Sequence, residues 1–461
     1  MRLFWHQQDL RVRDNRGLSA AARADTVVPV YVVDDDVLST VGSRKRAFLT
    51  ATVRELRREY RRLGSDLVVR EGPAAEVLPG LAETFDVTGV DWNEYYDPAR
   101  LHRQDRVQSA CAQGGIETRS WTDSVLVDPA ALDESYSNHG AFRDDWQAVP
   151  KREPYPAPGS KSLADVFDET PVPVVETDIP LPAAGYEAAR ERLDEFLADG
   201  IDTYRETRDD LSLAVDPTAN AVSRLSPYLA AGAIGIREVW AETTAALDEA
   251  DDDARPNLEK YRDELSWREG YYHLLFYNPD LLSTNYRTFP NPIAWRDDDE
   301  AFEAWKAGRT GYPLVDAGMR QLEREGYVHN RPRQVVASFL TKHLLIDWRR
   351  GERHFADRLV DYDAANDAGN WQWVASTGTD TVDVRIFDPV SQLERYDPAA
   401  EFVTEYVPEL RGVPAEKVAA WPTLSPGERD ALAPGYCHPI VDRDEAYERA
   451  ERVFERALGE R

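Results

Sequence analysis

Cysteine is nearly absent from the sequence, which has only Cys111 and Cys437. Two thiols cannot build a disulfide framework, a zinc site or a four-thiolate iron–sulfur cluster, and they point to a reducing cytoplasm. No apolar run approaches the roughly eighteen residues that cross a bilayer, so no membrane span is expected. The opening residues Met1-Arg2-Leu3-Phe4-Trp5-His6 lead straight into strand-like sequence rather than a secretory leader. No Gly-x-Gly-x-x-Gly follows that first strand, which excludes the common dinucleotide fingerprint. Lysine is scarce as well: Lys45, Lys151, Lys161, Lys260, Lys306, Lys342 and Lys417 are all there are, and nearly all positive charge is arginine.

What replaces the lysines is acid. Asp and Glu total 84 against 55 Lys plus Arg, a net charge of -29. Such a surface stays hydrated in concentrated salt, where a Debye length of about 3 Å at 1 M screens its self-repulsion. We read a salt-loving host, with an ordinary acidic cytosolic protein as the plainer alternative. The charge opposes non-specific nucleic-acid binding, because phosphates need Lys or Arg nearby. Any DNA site must be a local arginine patch helped by contacts that are not electrostatic.

The 461 residues are enough for two domains with separate cores. Strand-like runs at 3–6, 27–33, 66–70, 89–93 and 118–121 alternate with helical spacing at 44–63 and 98–112. That alternation implies a doubly wound parallel sheet over residues 1–130. Periodicity fails from 131 to 185, where prolines such as Pro154, Pro156, Pro158, Pro171 and Pro173 mark a linker. From 186 to 461 the pattern is helical, as at 334–345 and 446–458, giving an all-α domain.

The helical half sets aromatic residues beside polar ones. Trp371 and Trp373 are two apart, so on a helix they cannot share a face. Alone, the pair reads equally as two core tryptophans. Residues 223–229, Ser-Arg-Leu-Ser-Pro-Tyr-Leu, combine hydroxyls and an arginine at an expected helix start, which could offer N–H groups to a phosphate. Alone, they also read as an ordinary serine cap. Residues 264–269, 311–316 and 329–333 add further polar and aromatic groups.

In their order and spacing these segments resemble the DNA photolyase/cryptochrome family. The matching stretches are 5–10, 223–229, 267–269, 310–316, 337–353 and 369–380, and the resemblance spans nearly the whole chain. It implies an α/β domain followed by a helical domain holding a U-shaped FAD, whose adenine floors a cavity for a damaged base. Residues matching the family's FAD contacts are Tyr204, Ser223, Arg224, Leu225, Ser226, Arg268, Asn330, Arg333, Asp361 and Asp363. Hydroxyls and amides would meet the diphosphate, and Arg333 with an aspartate such as Asp361 would form a buried pair. Glu264, Trp267, Asn330, Gln334 and Trp373 would face the substrate, with Arg208, Arg331 and Arg385 as a phosphate patch. Trp371, Trp348 and Trp295 match the family's electron-carrying tryptophans, against a plain reading as core. No metal is implied.

The implied activity is light-driven splitting of cyclobutane pyrimidine dimers in UV-damaged DNA by an electron from reduced FAD. A second, light-gathering chromophore, a deazaflavin or a folate, is expected in the α/β domain. The protein is expected to act as a cytoplasmic monomer with no obligate protein partner. Several positions depart from the pattern. Val222 replaces a frequent Thr, the segment from Tyr204 to Ser223 is long, and Gln334 stands where dimer photolyases commonly have Met. Asp367 stands where photolyases usually place Asn facing the flavin, as in plant cryptochromes. His329-Asn330 lacks the second histidine of the (6-4) branch, so that branch loses its proton-transfer group. A cryptochrome-type blue-light receptor remains the alternative. The chain ends soon after its last helical stretch, without the tail usual for receptors.

Overall fold

The computed structural model describes residues 1–216, 219–380 and 382–460. Contacts divide the chain into two compact units. One comprises Met1–Asp202, Ser223–Asp280 and Val360–Ala365; the other comprises Thr203–Val222, Leu281–Leu359 and Asn366–Arg461.

The first unit holds a five-stranded parallel sheet in the order β3-β2-β1-β4-β5. Its strands are β1 (Arg2–His6), β2 (Val27–Val33), β3 (Val68–Glu71), β4 (Gly89–Asn93) and β5 (Glu117–Trp121). β1 and β4 are buried along their whole length and β2 along all but its last residue. Strands covered on both faces tend towards apolar runs, which made β2 visible in the sequence, while β1 and β4 mix apolar residues with buried Arg2, His6, Asp91 and Asn93. β5 is a mostly exposed edge, and Glu117, Arg119 and Ser120 blunt it against further pairing. Helices Arg16–Ala24, Ser43–Arg62, Ala74–Thr84 and Pro98–Gln113 connect the strands. Leu3, Trp5, Val28, Val30, Val90 and Trp92 lie at the centre of the core between them.

Two expectations shift. β3 begins at Val68 rather than residue 66, because the Asp66 side chain is committed elsewhere. It accepts from Arg57 Nε (2.9 Å), Arg61 Nη2 (3.0 Å) and its neighbour's Leu67 N–H (2.8 Å). The proline-rich stretch 131–185 is not a bare linker either. It contains the helix His139–Ala148, and its backbone is sewn onto the sheet. Leu163 forms a parallel bridge with Val27, Ala164 N–H donates to Val27 O (2.8 Å), and Asp168 accepts from Val69 N–H (2.8 Å).

A buried ionic cluster ties distant parts of this unit together. Arg237 donates to Asp14 (2.6 Å) and Asp123 (2.5 Å), and Arg11 donates to Asp123 (2.5 Å) and to the Gly232 carbonyl (3.1 Å). Burial pushes the Asp14 carboxyl above its ordinary value against the pull of Arg237 and Arg11. Asp123 is also pushed up by burial, but its two arginines outweigh this and hold it below. Gly232 has φ +66, and a Cβ there would lie 1.8 Å from Gln8 O, so only glycine fits.

The second unit is helical. Helices Pro313–Glu325, Asn330–Ser338, Trp348–Arg358 and Arg443–Leu458 are its main pieces. The helix read at 334–345 is regular only to Ser338, then widens into a π-helical turn, Phe339–His343. Leu345, with φ +53, ends it. Arg237→Ala would leave Asp14 with one guanidinium fewer in a dry site. It should lower the unfolding free energy by about 3–5 kcal/mol, measured by denaturant unfolding in molar salt. A loss below about 1 kcal/mol would show that the cluster is not holding the unit.

Candidate functional site

The candidate residues fall into both units, and each set has its own geometry. In the first unit the helix Arg255–Tyr277 carries Glu264, Trp267 and Arg268. Arg268 Nη1 donates to Ser124 O (2.9 Å), and its guanidinium lies 4.6 Å over the Tyr272 ring. Tyr272 O–H in turn donates to Asp363 (2.5 Å). Burial, with Asp363 beside it, holds the Tyr272 phenol well above its ordinary value, so the tyrosine stays a donor. Arg268 and Asp363 are thus joined through a residue the sequence reading passed over. Tyr272 sits four residues after Arg268 on the same helix, and that spacing was the available signal.

Ser226 begins a six-residue helix, Ser226–Ala231, whose N-cap is Leu225 rather than a serine. Its hydroxyl does not cap; it donates to Asp361 (2.7 Å). Arg224, at φ +47, turns the chain just before, and the Ser223 carbonyl accepts from Arg192 Nε (3.0 Å). The serine-cap reading therefore fails. Glu264 is paired with Lys260 (2.7 Å), one turn earlier. Glu269 is buried and receives the Trp146 indole N–H (2.7 Å) and the backbone N–H of Val127 (3.2 Å). Burial raises its carboxyl against those bonds. Trp267 lies flat against His139, ring centroids 3.6 Å apart and planes 12° from parallel.

In the second unit His329 caps the helix Asn330–Ser338: its Nδ1 accepts from Arg331 N–H (3.3 Å), and its own N–H donates to Gln321 (3.0 Å). Asn330 is exposed at the helix start. Arg333 lies 3.7 Å from buried Asp367. The arginines expected to meet phosphate each have an acidic partner. Arg331 donates to Asp209 (2.7 Å) and Gln334 (2.8 Å) and lies 4.3 Å over Tyr396. Burial would raise the Asp209 carboxyl, but the bond and charge of Arg331 outweigh it and hold the carboxyl low. Arg208 lies 3.7 Å from Asp209 and 6.0 Å over the Tyr204 ring. Arg385 donates to Asp380 (3.0 Å) and lies 4.8 Å over Trp373.

Trp371 and Trp373 take different faces of the helix Ala364–Ala375. Trp371 is buried against Phe355 (5.2 Å, perpendicular) and Trp305 (6.3 Å). Trp373 meets Phe387 (5.8 Å) and Arg385. The tip of the Trp371 ring presses on Gly351, where a Cβ would lie 2.3 Å from it. Gly351 is one helical turn beyond Trp348, whose indole N–H donates to Asn285 (3.0 Å). Trp295 packs in the cluster around Leu345 and Phe454, three residues before Trp348. Trp371 thus packs on the helix that Trp348 begins, and Trp295 packs in a cluster that includes Leu345. Lys342, unanticipated, is buried; its Nζ donates to the Ala375 carbonyl (2.5 Å) that ends the helix carrying Trp371 and Trp373. Among the described residues no three His, Cys, Asp or Glu side chains converge for a metal, and no helix is long and apolar enough to cross a membrane.

Two family models match the chain: one described as DNA photolyase over residues 2–159, and one as the FAD binding domain of DNA photolyase over residues 261–456. A deoxyribodipyrimidine photo-lyase of Halobacterium salinarum is 44% identical over 486 aligned residues, covering 100% of both chains. The crystal structure of a bacterial class III photolyase from Agrobacterium tumefaciens superposes with a TM-score of 0.88 at 33% identity, covering 100% of this chain and 98% of that one. An archaeal photolyase from Sulfolobus tokodaii, solved with two FAD molecules, has a TM-score of 0.85 at 33% identity and covers 99% of each chain.

The Gly351 contact yields a direct test. A Gly351→Ala side chain would drive into Trp371 and Leu340, and overpacking of this kind costs about 1–3 kcal/mol. The variant should unfold at lower denaturant and show altered tryptophan emission. Unchanged stability and emission would contradict the close packing of Trp371 on this helix.

Proposed function

The chain belongs to the DNA photolyase family, and on that footing we propose that it uses light to split cyclobutane pyrimidine dimers in UV-damaged DNA. The observation that carries this reading is the full-length match to a deoxyribodipyrimidine photo-lyase. The fold is common to the repair and photoreceptor branches. The Asp367 substitution is the sequence feature that favours the receptor alternative.

The donor set suits FAD. Arg268 and the hydroxyls and backbone around Ser223, Arg224, Leu225 and Ser226 supply what a diphosphate needs, and Arg333 with an aspartate such as Asp361 would form a buried pair beside the isoalloxazine. Asp361 and Asp363, oriented by Ser226 and Tyr272, are acceptors for sugar and ribityl hydroxyls, and Tyr204 and Asn330 complete the set. FAD, bound and reduced, supplies the excited-state electron that opens the dimer ring. The protein's own part is positioning. Trp267 and Trp373 give aromatic surfaces for the dimer's bases, Glu264 and Gln334 give polar contacts, and Arg208, Arg331 and Arg385 meet backbone phosphates. Base flipping is the family's established route to such a site. Trp371, Trp348 and Trp295 serve as an indole relay to solvent.

For function we divide the chain into an antenna domain (1–130), a connecting segment (131–185) and a flavin domain (186–461). A second chromophore, a deazaflavin or a folate, is assigned to the carboxyl end of the sheet, where α/β folds bind ligands. There a small cavity of about 20 Å³ is lined by His6, Gln7, Gln8, Tyr31, Arg100 and Arg103. A chromophore would enter only if side chains such as Arg103 swing aside. The second FAD of the Sulfolobus relative supports a two-chromophore arrangement. We assign the protein to the cytoplasm of a salt-rich cell, working as a monomer.

The test is recovery of thymine absorbance from a defined dimer by reduced, FAD-loaded protein in molar salt, with a dark control. Repair should occur in light alone. Trp267→Ala should weaken dimer binding by about 1–3 kcal/mol, the worth of one stacked base. No repair of single- or double-stranded substrate by protein that holds FAD would overturn the proposal.

A further inference from the structure

His139 was read as part of a linker, yet it makes the closest ring stack on Trp267. It opens the helix His139–Ala148, whose N-cap Asn138 accepts from Ala141 N–H (3.0 Å). Its imidazole lies 3.6 Å from the Trp267 ring, centroid to centroid, and 12° from parallel. One edge of the imidazole is held by a hydrogen bond. Nε2 is 3.0 Å from Ser266 Oγ, and that hydroxyl gives its proton to the Asp263 carbonyl (2.7 Å). Ser266 must therefore accept from Nε2–H, which leaves Nδ1 without a proton. Nδ1 faces Gly270, where even a Cβ would stand only 3.4 Å away. Ser266, Trp267 and Gly270 share one long helix, so the imidazole is seated on a rigid cradle. Burial holds the imidazole down to about 4, against Asp263 and with Arg143 and Lys260 also facing it, so it stacks as a neutral ring.

We propose that His139 is a positioning residue for dimer recognition: it occupies one face of Trp267 and fixes the indole plane before substrate arrives. The inference rests on the reading of Trp267 as a dimer-facing residue. An indole backed in this way meets the dimer by its other face or its edge. It also loses little rotamer freedom on binding, which is where preorganisation gains affinity. His139 is not among the residues assigned to FAD and acts through Trp267, so its effect should fall on substrate affinity and not on turnover of bound substrate.

The experiment measures dimer-oligonucleotide affinity and light-driven turnover at saturating substrate, on FAD-loaded protein. His139→Ala should weaken dimer affinity about two- to tenfold, the worth of an aromatic pair, with saturated turnover unchanged. His139→Phe, which keeps a flat ring, should bind like the wild type, and His139→Leu, which keeps only bulk, should bind like His139→Ala. The double variant with Trp267→Ala should bind no worse than Trp267→Ala alone. Additive losses, or equal affinities for the Phe and Leu variants, would overturn the proposal. So would an unaffected His139→Ala beside a weakened Trp267→Ala, and that result would leave the dimer-facing reading of Trp267 intact. An unaffected Trp267→Ala would overturn both. Should His139→Ala fail to hold FAD, the Phe–Leu comparison decides alone.

Discussion

A chain with a net charge of -29 must recognise one of the most strongly charged polymers in the cell. Long-range attraction is not available to it. The arginines proposed to meet phosphate do not change this, because each is already matched: Arg331 and Arg208 to Asp209, Arg385 to Asp380. A phosphate arriving there exchanges one anion for another, and the exposed side of such a pair is worth little in salt. Affinity therefore has to come from short-range contacts. Aromatic surfaces meet that need, since stacking does not fade when ions screen charge. The same arginines reinforce those surfaces. Arg385 covers Trp373, and Arg331 lies over Tyr396, so the ion pairs orient cations as ring partners as much as they await phosphate.

Rigid support behind reactive or recognising side chains recurs through both units. Trp267 is backed by an imidazole that Ser266 holds through Nε2. Trp371 is wedged on Gly351, and the end of its helix is held by buried Lys342. Asp361 and Asp363 are each aimed by a hydroxyl, from Ser226 and Tyr272. When a cofactor supplies the chemistry, geometry is what the protein contributes, and these supports are that contribution.

Much of this was legible in the sequence where a single local rule decided the outcome. β1, β2 and β4 were read within one residue because strands buried on both faces are rich in apolar residues, although Arg2, His6, Asp91 and Asn93 are buried among them. The different faces of Trp371 and Trp373 followed from their spacing alone. The misses are places where a distant partner overrode local preference. Asp66 left the strand to hold Arg57 and Arg61, and Ser226 gave up capping to reach Asp361 across 135 residues of chain. The proline-rich stretch carried no periodicity, so nothing announced the helix His139–Ala148 or the bridge from Leu163 to Val27. His139 and Tyr272 gain their meaning only from partners that folding brings to them.

On this reading stacking, and not charge, holds the damaged base against an acidic protein. The most direct measurement is the slope of log affinity against log salt concentration for a dimer-containing oligonucleotide, beside an undamaged one. A shallow slope is expected, less than that of about one phosphate contact, with a preference for the dimer that persists through the molar range. A steep slope worth several phosphates, with the preference vanishing as salt rises, would contradict it.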